Sequence, residues 1–270
     1  AEATALFVED RFTTGAMTIT AGARYEEITV MRDDWGKTDP DRSEVPSERE
    51  HTMDVIVPGV GVEYAINEFQ TVSLGVHKGF APPGPGTSGV TDKAVDPETS
   101  MNTEIGFKSN KGLNSLEFTL FMNSYDNLLG ADTAASGGGT DELFNGGAVD
   151  ISGFELYLRR LLVDNDRLQM PLELAWTNTN SEFQESFDGF WGDVSKGDEL
   201  PYLPETMVSI NLGLVVDKIS ANISMKQTSE MRTVAGSGSI SGSDATDPEI
   251  LPEPATCLLY TSDAADDMQC

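Results

Sequence analysis

The sequence predicts an all-β chain folded as an antiparallel, up-and-down β-barrel that crosses a membrane, and three observations carry that reading. Apolar residues recur at every second position over segments of about ten residues, the length a tilted strand needs to cross a hydrocarbon layer. The breaks between these segments alternate strictly between short and long. The overall hydrophobic content, 39%, is too low for a bundle of membrane helices.

The segments follow one grammar. After a first strand around Leu6 to Phe12, the odd positions Met17, Ile19, Ala21, Ala23 and Tyr25 are apolar, and Thr18, Thr20, Arg24 and Glu26 fall between them. Ile56, Val60, Val62, Tyr64 and Ile66 alternate with Gly59, Gly61 and Glu63, and Val72, Leu74, Val76 and Phe80 with Thr71, Ser73, Gly75 and His77. Met101, Ile105 and Phe107 oppose Asn102, Glu104 and Lys108; Leu116, Phe118, Leu120 and Met122 oppose Ser115, Glu117, Thr119 and Asn123. Phe154, Leu156 and Leu158 continue the series, then Leu168 to Trp176, Val208 to Leu214 and Ile219 to Met225, giving about ten strands in all.

Short breaks fall at Thr13-Thr14-Gly15, Asn67-Glu68, Asn110-Lys111-Gly112, Asp164-Asn165-Asp166 and Val216-Asp217-Lys218, all turn formers. Long breaks run from Arg32 to Thr52, Ala81 to Thr99, Leu128 to Ala148, Asn180 to Tyr202 and from Ser229 onward. A sandwich or Greek key has no reason to gather its long loops at one end, whereas an outer-membrane barrel has short periplasmic turns and long extracellular loops. Alternation alone leaves a soluble barrel or sandwich open, because it does not say which face is dry. Strand length is the better discriminator, ordinary strands running only about five or six residues. Phe12, Tyr25, Tyr64, Phe69, Phe80, Tyr125, Trp176 and Tyr202 sit near strand ends, as interfacial girdles would, though strands attract aromatics anyway.

Charge excludes other classes. With 45 acidic against 17 basic side chains, a net charge of −28 and no basic stripe, the surface repels phosphate backbones and no nucleic-acid partner is expected. No run approaches the roughly 18 apolar residues of a transmembrane helix. Both cysteines, Cys257 and Cys270, lie in the tail. Their absence from the body fits a periplasmic or outer-membrane protein needing no disulfide, as it fits many others.

Several segments, in order, resemble TonB-dependent outer-membrane receptors. Ala5-Leu6-Phe7-Val8-Glu9-Asp10-Arg11-Phe12 with Ile19-Thr20-Ala21-Gly22-Ala23-Arg24-Tyr25-Glu26 is similar to their "FVEDRF…ITAGARYE" strand pair, and Lys78-Gly79-Phe80-Ala81-Pro82-Pro83 to their "KGFAPP" strand end. Asp96-Pro97-Glu98-Thr99-Ser100, Asn123-Ser124-Tyr125-Asp126-Asn127-Leu128-Leu129, Gly153-Phe154-Glu155-Leu156 and Leu200-Pro201-Tyr202-Leu203-Pro204 extend the likeness over residues 5 to 234, nearest the ferric-dicitrate branch. The resemblance implies a barrel of about 22 strands, of which this chain supplies roughly the latter middle, with the plug domain absent. It also implies a role in binding an iron chelate or another scarce nutrient at the extracellular loops. Passage to the periplasm would draw on the TonB complex through the missing N-terminal plug region, in the outer membrane of a Gram-negative bacterium with lipid around the barrel. An isolated set of these strands, with two unpaired edges, is expected to be neither stable nor functional.

Residues 1–256 are accordingly read as partial barrel. The stretch from Cys257 to Asp266 resembles the in-frame translation of a transposon-based sequencing adapter, so 257–270 is set aside as a non-native tail, an acidic disordered tail being the alternative. The natural termini are then expected to lie beyond both ends.

No chemistry of catalysis or metal binding is expected. His51 and His77 fall on different strands, no His/Cys set has ligand spacing, and neither a GxSxG nor a phosphate-loop pattern occurs. Gly137-Gly138-Gly139 reads as flexible linker. Acidic clusters such as Asp33-Asp34, Asp39 with Asp41, and Glu48 with Glu50 lack EF-hand spacing and read as a solvated face. No cofactor is expected and the chain is not read as an enzyme. For ligand capture the loops offer Trp35, Phe183, Phe187, Phe190 and Trp191, for which a local packing cluster is the favoured reading, and Arg32, Arg42, Arg49 and Arg232 for an anionic chelate. Trp35, Phe190, Trp191 and Arg32 are the weak candidates retained. Neighbouring acids outnumber the arginines, which counts against ferric citrate itself as cargo. Two other classes stay open: an outer-membrane porin or barrel enzyme, and a secreted acidic β-sheet binding module.

Overall fold

In a computed structural model of the chain, the described residues are 1–36, 39–82, 97–131, 143–189, 192–232 and 235–240. They contain strands and turns and no helix. The strands are β1 (Glu2–Thr14), β2 (Met17–Asp34), β3 (Ser47–Asn67), β4 (Gln70–Ala81), β5 (Glu98–Lys111), β6 (Asn114–Asp126), β7 (Leu129–Ala131), β8 (Leu143–Asn145), β9 (Val149–Asp164), β10 (Leu168–Phe183), β11 (Phe187–Gly189), β12 (Gly192–Val194), β13 (Thr206–Val216) and β14 (Ile219–Thr228). Ten of them form one sheet in the order β1-β2-β3-β4-β5-β6-β9-β10-β13-β14, every pair antiparallel, while β7-β8 and β11-β12 are separate hairpins inside two of the long connections. This is the up-and-down meander expected from the alternating breaks.

The short turns close where the sequence places them, within a residue or two. Residues 15–16, 68–69, 112–113 and 217–218 make two-residue connections, and Gly15, Gly112 and Asp217 take positive φ at the first of the two positions. In the three-residue turn after β9, the Asn165 side-chain oxygen accepts from the amides of Arg167 (3.1 Å) and Leu168 (3.0 Å).

The pairing register fixes the two faces of the sheet. One row of facing residues reads Phe12, Ile19, Val62, Leu74, Ile105, Leu120 and Phe154 from β1 to β9, and the adjoining positions carry Val60, Val72, Phe118, Leu156, Trp176, Ile210 and Ile223. The opposite face carries Thr20, Glu63, Ser73, Glu104, Thr119, Glu155 and Asn211. No second layer covers the apolar face within the described residues: Val60 is 48% exposed, Leu74 47%, Ile105 49% and Ile223 51%. In a soluble sandwich this face would be the core. Buried hydrophobic residues are instead Ile28, Met53, Val55, Val149, Phe183 and Val194, all near the end of the long connections. A continuous apolar face of this extent in water is unfavourable by about 25 cal/mol per Å², which hydrocarbon removes. The apolar face is therefore the outward, lipid-facing one and the polar face the lumen wall. Charged outward positions that depart from the pattern include Asp10 on β1, Lys78 near the top of β4 and Arg160 on β9.

The strands outrun the apolar band, which corrects the expected loop limits. Residues 32–34 and 47–52 belong to strands β2 and β3, and β10 continues to Phe183. Above the paired Tyr25 and Ile56 the outward residues become Glu27 opposite Asp54, Thr29 opposite Thr52, and Met31 opposite Glu50. The inward residues become Ile28 opposite Met53, both buried. The apolar side has changed faces: outside the membrane the outer face meets water and the inner face is covered by protein. Tyr25 stands at the change, its hydroxyl 3.4 Å from Glu27, as an interfacial aromatic with an apolar body and a polar tip.

Candidate functional site

The long connections that the structure describes project from one end of the sheet, and it is there that a ligand arriving from outside would be met. The connection between β2 and β3 holds itself together with polar bonds. Asp39 accepts from the Ser43 amide and hydroxyl, both 3.0 Å, and from the Glu44 amide at 2.9 Å. The Glu44 and Ser43 amides hold the Asp39 carboxyl below its ordinary pKa, against a smaller opposing effect of desolvation. Trp35 donates its indole N–H to the Glu44 carbonyl at 3.0 Å, and the Arg42 guanidinium lies 5.1 Å from the Trp35 ring centroid. Trp35 and Arg42 are thus engaged with each other and their own loop.

The connections after β6, β10 and β14 meet over the inward ends of β6, β9 and β10. Val149 and Phe183, cross-strand partners on β9 and β10, are fully buried, Val194 of β12 is 3% exposed, and Tyr125, Leu128, Ile151, Phe187, Leu200 and Ala235 pack around them.

The remaining expected residues are distributed as follows. Arg32 lies on β2 opposite Arg49 of β3. Phe190 and Trp191 lie outside the described residues. Phe183 and Phe187 meet edge to face, centroids 5.6 Å apart, inside the packed cluster. Arg232 pairs with Glu199 (3.2 Å) and donates to the Gly238 carbonyl, so its charge is already answered within the protein. Beside it a cavity of about 330 Å³ lies among Ser181, Glu199, Glu205, Glu230 and Arg232. On the lumen wall His77 faces Gly59 and Asn102, the polar-face position expected of it. Nearer the short turns that wall carries the pairs Arg11–Glu63 (3.3 Å), Lys108–Glu117 (3.1 Å) and Arg159–Glu173 (3.6 Å). Among the described residues no group of three or more His, Cys, Asp or Glu side chains is placed to hold a metal ion. Sequence reasoning missed Val149, Val194 and Leu200, which build the loop cluster. The only signal was apolar residues inside acidic, glycine-rich breaks.

The arrangement, a lipid-facing meander with lumen-facing polar residues and structured loops at one end, is that of an outer-membrane barrel wall, and the family comparison agrees. The model of the β-barrel of TonB-dependent receptor-like proteins matches residues 1–241. This chain belongs to the TonB-dependent receptor family. Solved structures with the same fold include the ferric yersiniabactin uptake receptor FyuA from Yersinia pestis, with a TM-score of 0.66 and 16% identity over 86% of this chain and 34% of that one. The ferric citrate transporter FecA has a TM-score of 0.66 and 19% identity over 85% of this chain and 32% of that one. The siderophore receptor PiuA from Acinetobacter baumannii gives 0.65 and 16%, covering 85% of this chain and 33% of that one. The chain thus spans about a third of the length of these receptors. Among curated protein sequences no match is found. TonB-dependent receptor barrels are outer-membrane proteins of Gram-negative bacteria, and the family and these neighbours are receptors and transporters.

Proposed function

We propose that this chain is the latter-middle part of the barrel of an outer-membrane active transporter for an iron chelate, a siderophore or a ferric-citrate-like complex. The observation that carries the reading is the uncovered apolar face shared by ten paired strands, joined to the family match over residues 1–241. In this reading residues 1–256 are barrel and 257–270 a non-native tail. The chelate meets the extracellular loops, with Trp35, Phe190, Trp191 and Arg32 as the candidates for contact. Energy arrives from the TonB complex through a plug region outside this chain, and outer-membrane lipid surrounds the apolar band. The protein's part is binding and passage, not catalysis. Tight, TonB-dependent handling of one chelate is tested by deleting the encoding gene in its host and supplying radioactive iron as a panel of ferric chelates. Loss of uptake for one chelate, restored by the intact gene and not by a copy lacking its TonB-contacting segment, is expected. Unchanged uptake of every chelate would overturn the proposal.

A further inference from the structure

The connections after β6, β10 and β14 are far apart in sequence, yet the structure joins them at four kinds of contact. The first is the apolar cluster, to which Leu128, Phe187 with Leu200, and Ala235 contribute from the three connections respectively. The second is backbone hydrogen bonding: Gln184 donates to the Ala148 carbonyl (2.8 Å), Glu199 to Gly236 (2.7 Å) and Tyr202 to Arg232 (2.7 Å). The third is the Arg232–Glu199 ion pair, with the Arg232 side chain only 14% exposed. The fourth is steric: Gly147, at a φ of 74°, leaves the space into which the Phe187 ring fits, and a Cβ there would lie 3.0 Å from that ring. Local unfolding free energy is lowest where buried apolar contacts are few and backbone bonds are exposed; here the three connections share one apolar cluster, and backbone bonds between them add to those that each makes within itself, such as Leu128 to Gly147 and Gly197 to Phe183.

We propose that the described residues of these three connections, 127–131 with 143–148, 184–189 with 192–205, and 229–232 with 235–240, form one rigid cap over the inward ends of β6, β9 and β10, a cap that opens or shifts as a single body and not loop by loop. The β2–β3 connection, tied by bonds within itself, moves independently of it. Any closure over cargo then uses the connections outside the cap or carries all three together. The cap does not depend on which ligand the protein takes, and it stands or falls separately from the transport reading.

The test is hydrogen exchange on the complete receptor containing this chain, in detergent micelles, with Phe183→Ala. Loss of the buried ring is expected to raise exchange at the amides of Leu128, Gly146, Gly197 and Glu199 together, by about tenfold or more, with Ser43 and Glu44 unchanged. Because that variant removes a fully buried ring, Gly147→Ala provides a second arm that leaves the ten-stranded sheet untouched. It is expected to raise exchange at Gln184, Gly197 and Leu200 as well as at its own neighbours. A rise confined to the substituted loop, or no change in either variant, would overturn the proposal. So would a rise that includes Ser43 and Glu44, since it would mean global loosening.

Discussion

The lower and upper parts of the same strands are built on opposite principles. Between the short turns and the Tyr25–Ile56 pair, β2 and β3 turn apolar side chains outward and Thr20, Gly61 and Glu63 inward; above that pair Glu27 and Asp54 face outward and Ile28, Met53 and Val55 are buried within. One backbone, with one hydrogen-bonded register, therefore serves two solvents. The lesson is that the band of lipid contact is set by where the alternation inverts, not by where the strand ends.

Each part can be broken separately. The largest effect is expected in the upper part, where Phe183→Ala removes a fully buried ring and should cost about 3–5 kcal/mol in chemical unfolding from micelles. In the lower part Val60→Arg, at the middle of the lipid-facing band, should cost about 2–4 kcal/mol, while Thr52→Arg, on the same face above the band, should change stability by less than about 0.5 kcal/mol. Equal costs at the two positions would erase the distinction between the parts. On the polar face of β9, Gly153→Ala places a Cβ 2.0 Å from the Asn178 carbonyl oxygen, which should push the β9–β10 pair apart at a cost of about 1–3 kcal/mol in the same unfolding assay.

A smaller effect is tied to pH. Because the Asp39 carboxyl is held below its ordinary pKa, the order it gives the β2–β3 connection is fully present above the ordinary carboxylate value of about 4 and is lost as pH falls through the lowered one. Trp35 fluorescence should report a constant loop from neutral pH down to that range and a change below it. In Asp39→Asn the loop should already be loosened at neutral pH and that acid transition should be absent. The smallest effect is expected at the lumen pair Arg11–Glu63, both partners largely exposed, where a double-mutant cycle should return between about 0 and 1 kcal/mol.

Most of the lower part was legible in the sequence because alternation with period two survives wherever one face meets lipid and the other a polar lumen. The turns were legible through Gly15, Gly112 and Asn165, each of which solves a local backbone problem. The upper strands were read as loop because inversion at Glu26-Glu27 interrupts the alternation, and because Pro46, Glu48 and Glu50 resemble connecting sequence. Only tertiary cover makes Ile28 and Met53 core residues, and cover by other loops leaves no local signal. The same holds for the cap, whose cluster draws Tyr125, Phe183, Val194 and Ala235 from four places in the chain. Of the arginines proposed to meet a chelate, Arg232 shows why composition is a poor guide: its partner Glu199 lies 33 residues away in sequence.

The account rests on the outward face of the lower strands touching hydrocarbon, and scanning β3 with nitroxide side chains tests that directly. In the complete receptor reconstituted in lipid, labels replacing Ile56, Val60, Val62 and Tyr64 in turn should collide with dissolved oxygen and be shielded from a water-soluble nickel chelate. Labels at Asp54, Thr52 and Glu50, on the same face, should switch to the nickel chelate. Labels between Ile56 and Tyr64 that are shielded from both reagents, as in a protein core, or that all meet the nickel chelate, would contradict the account.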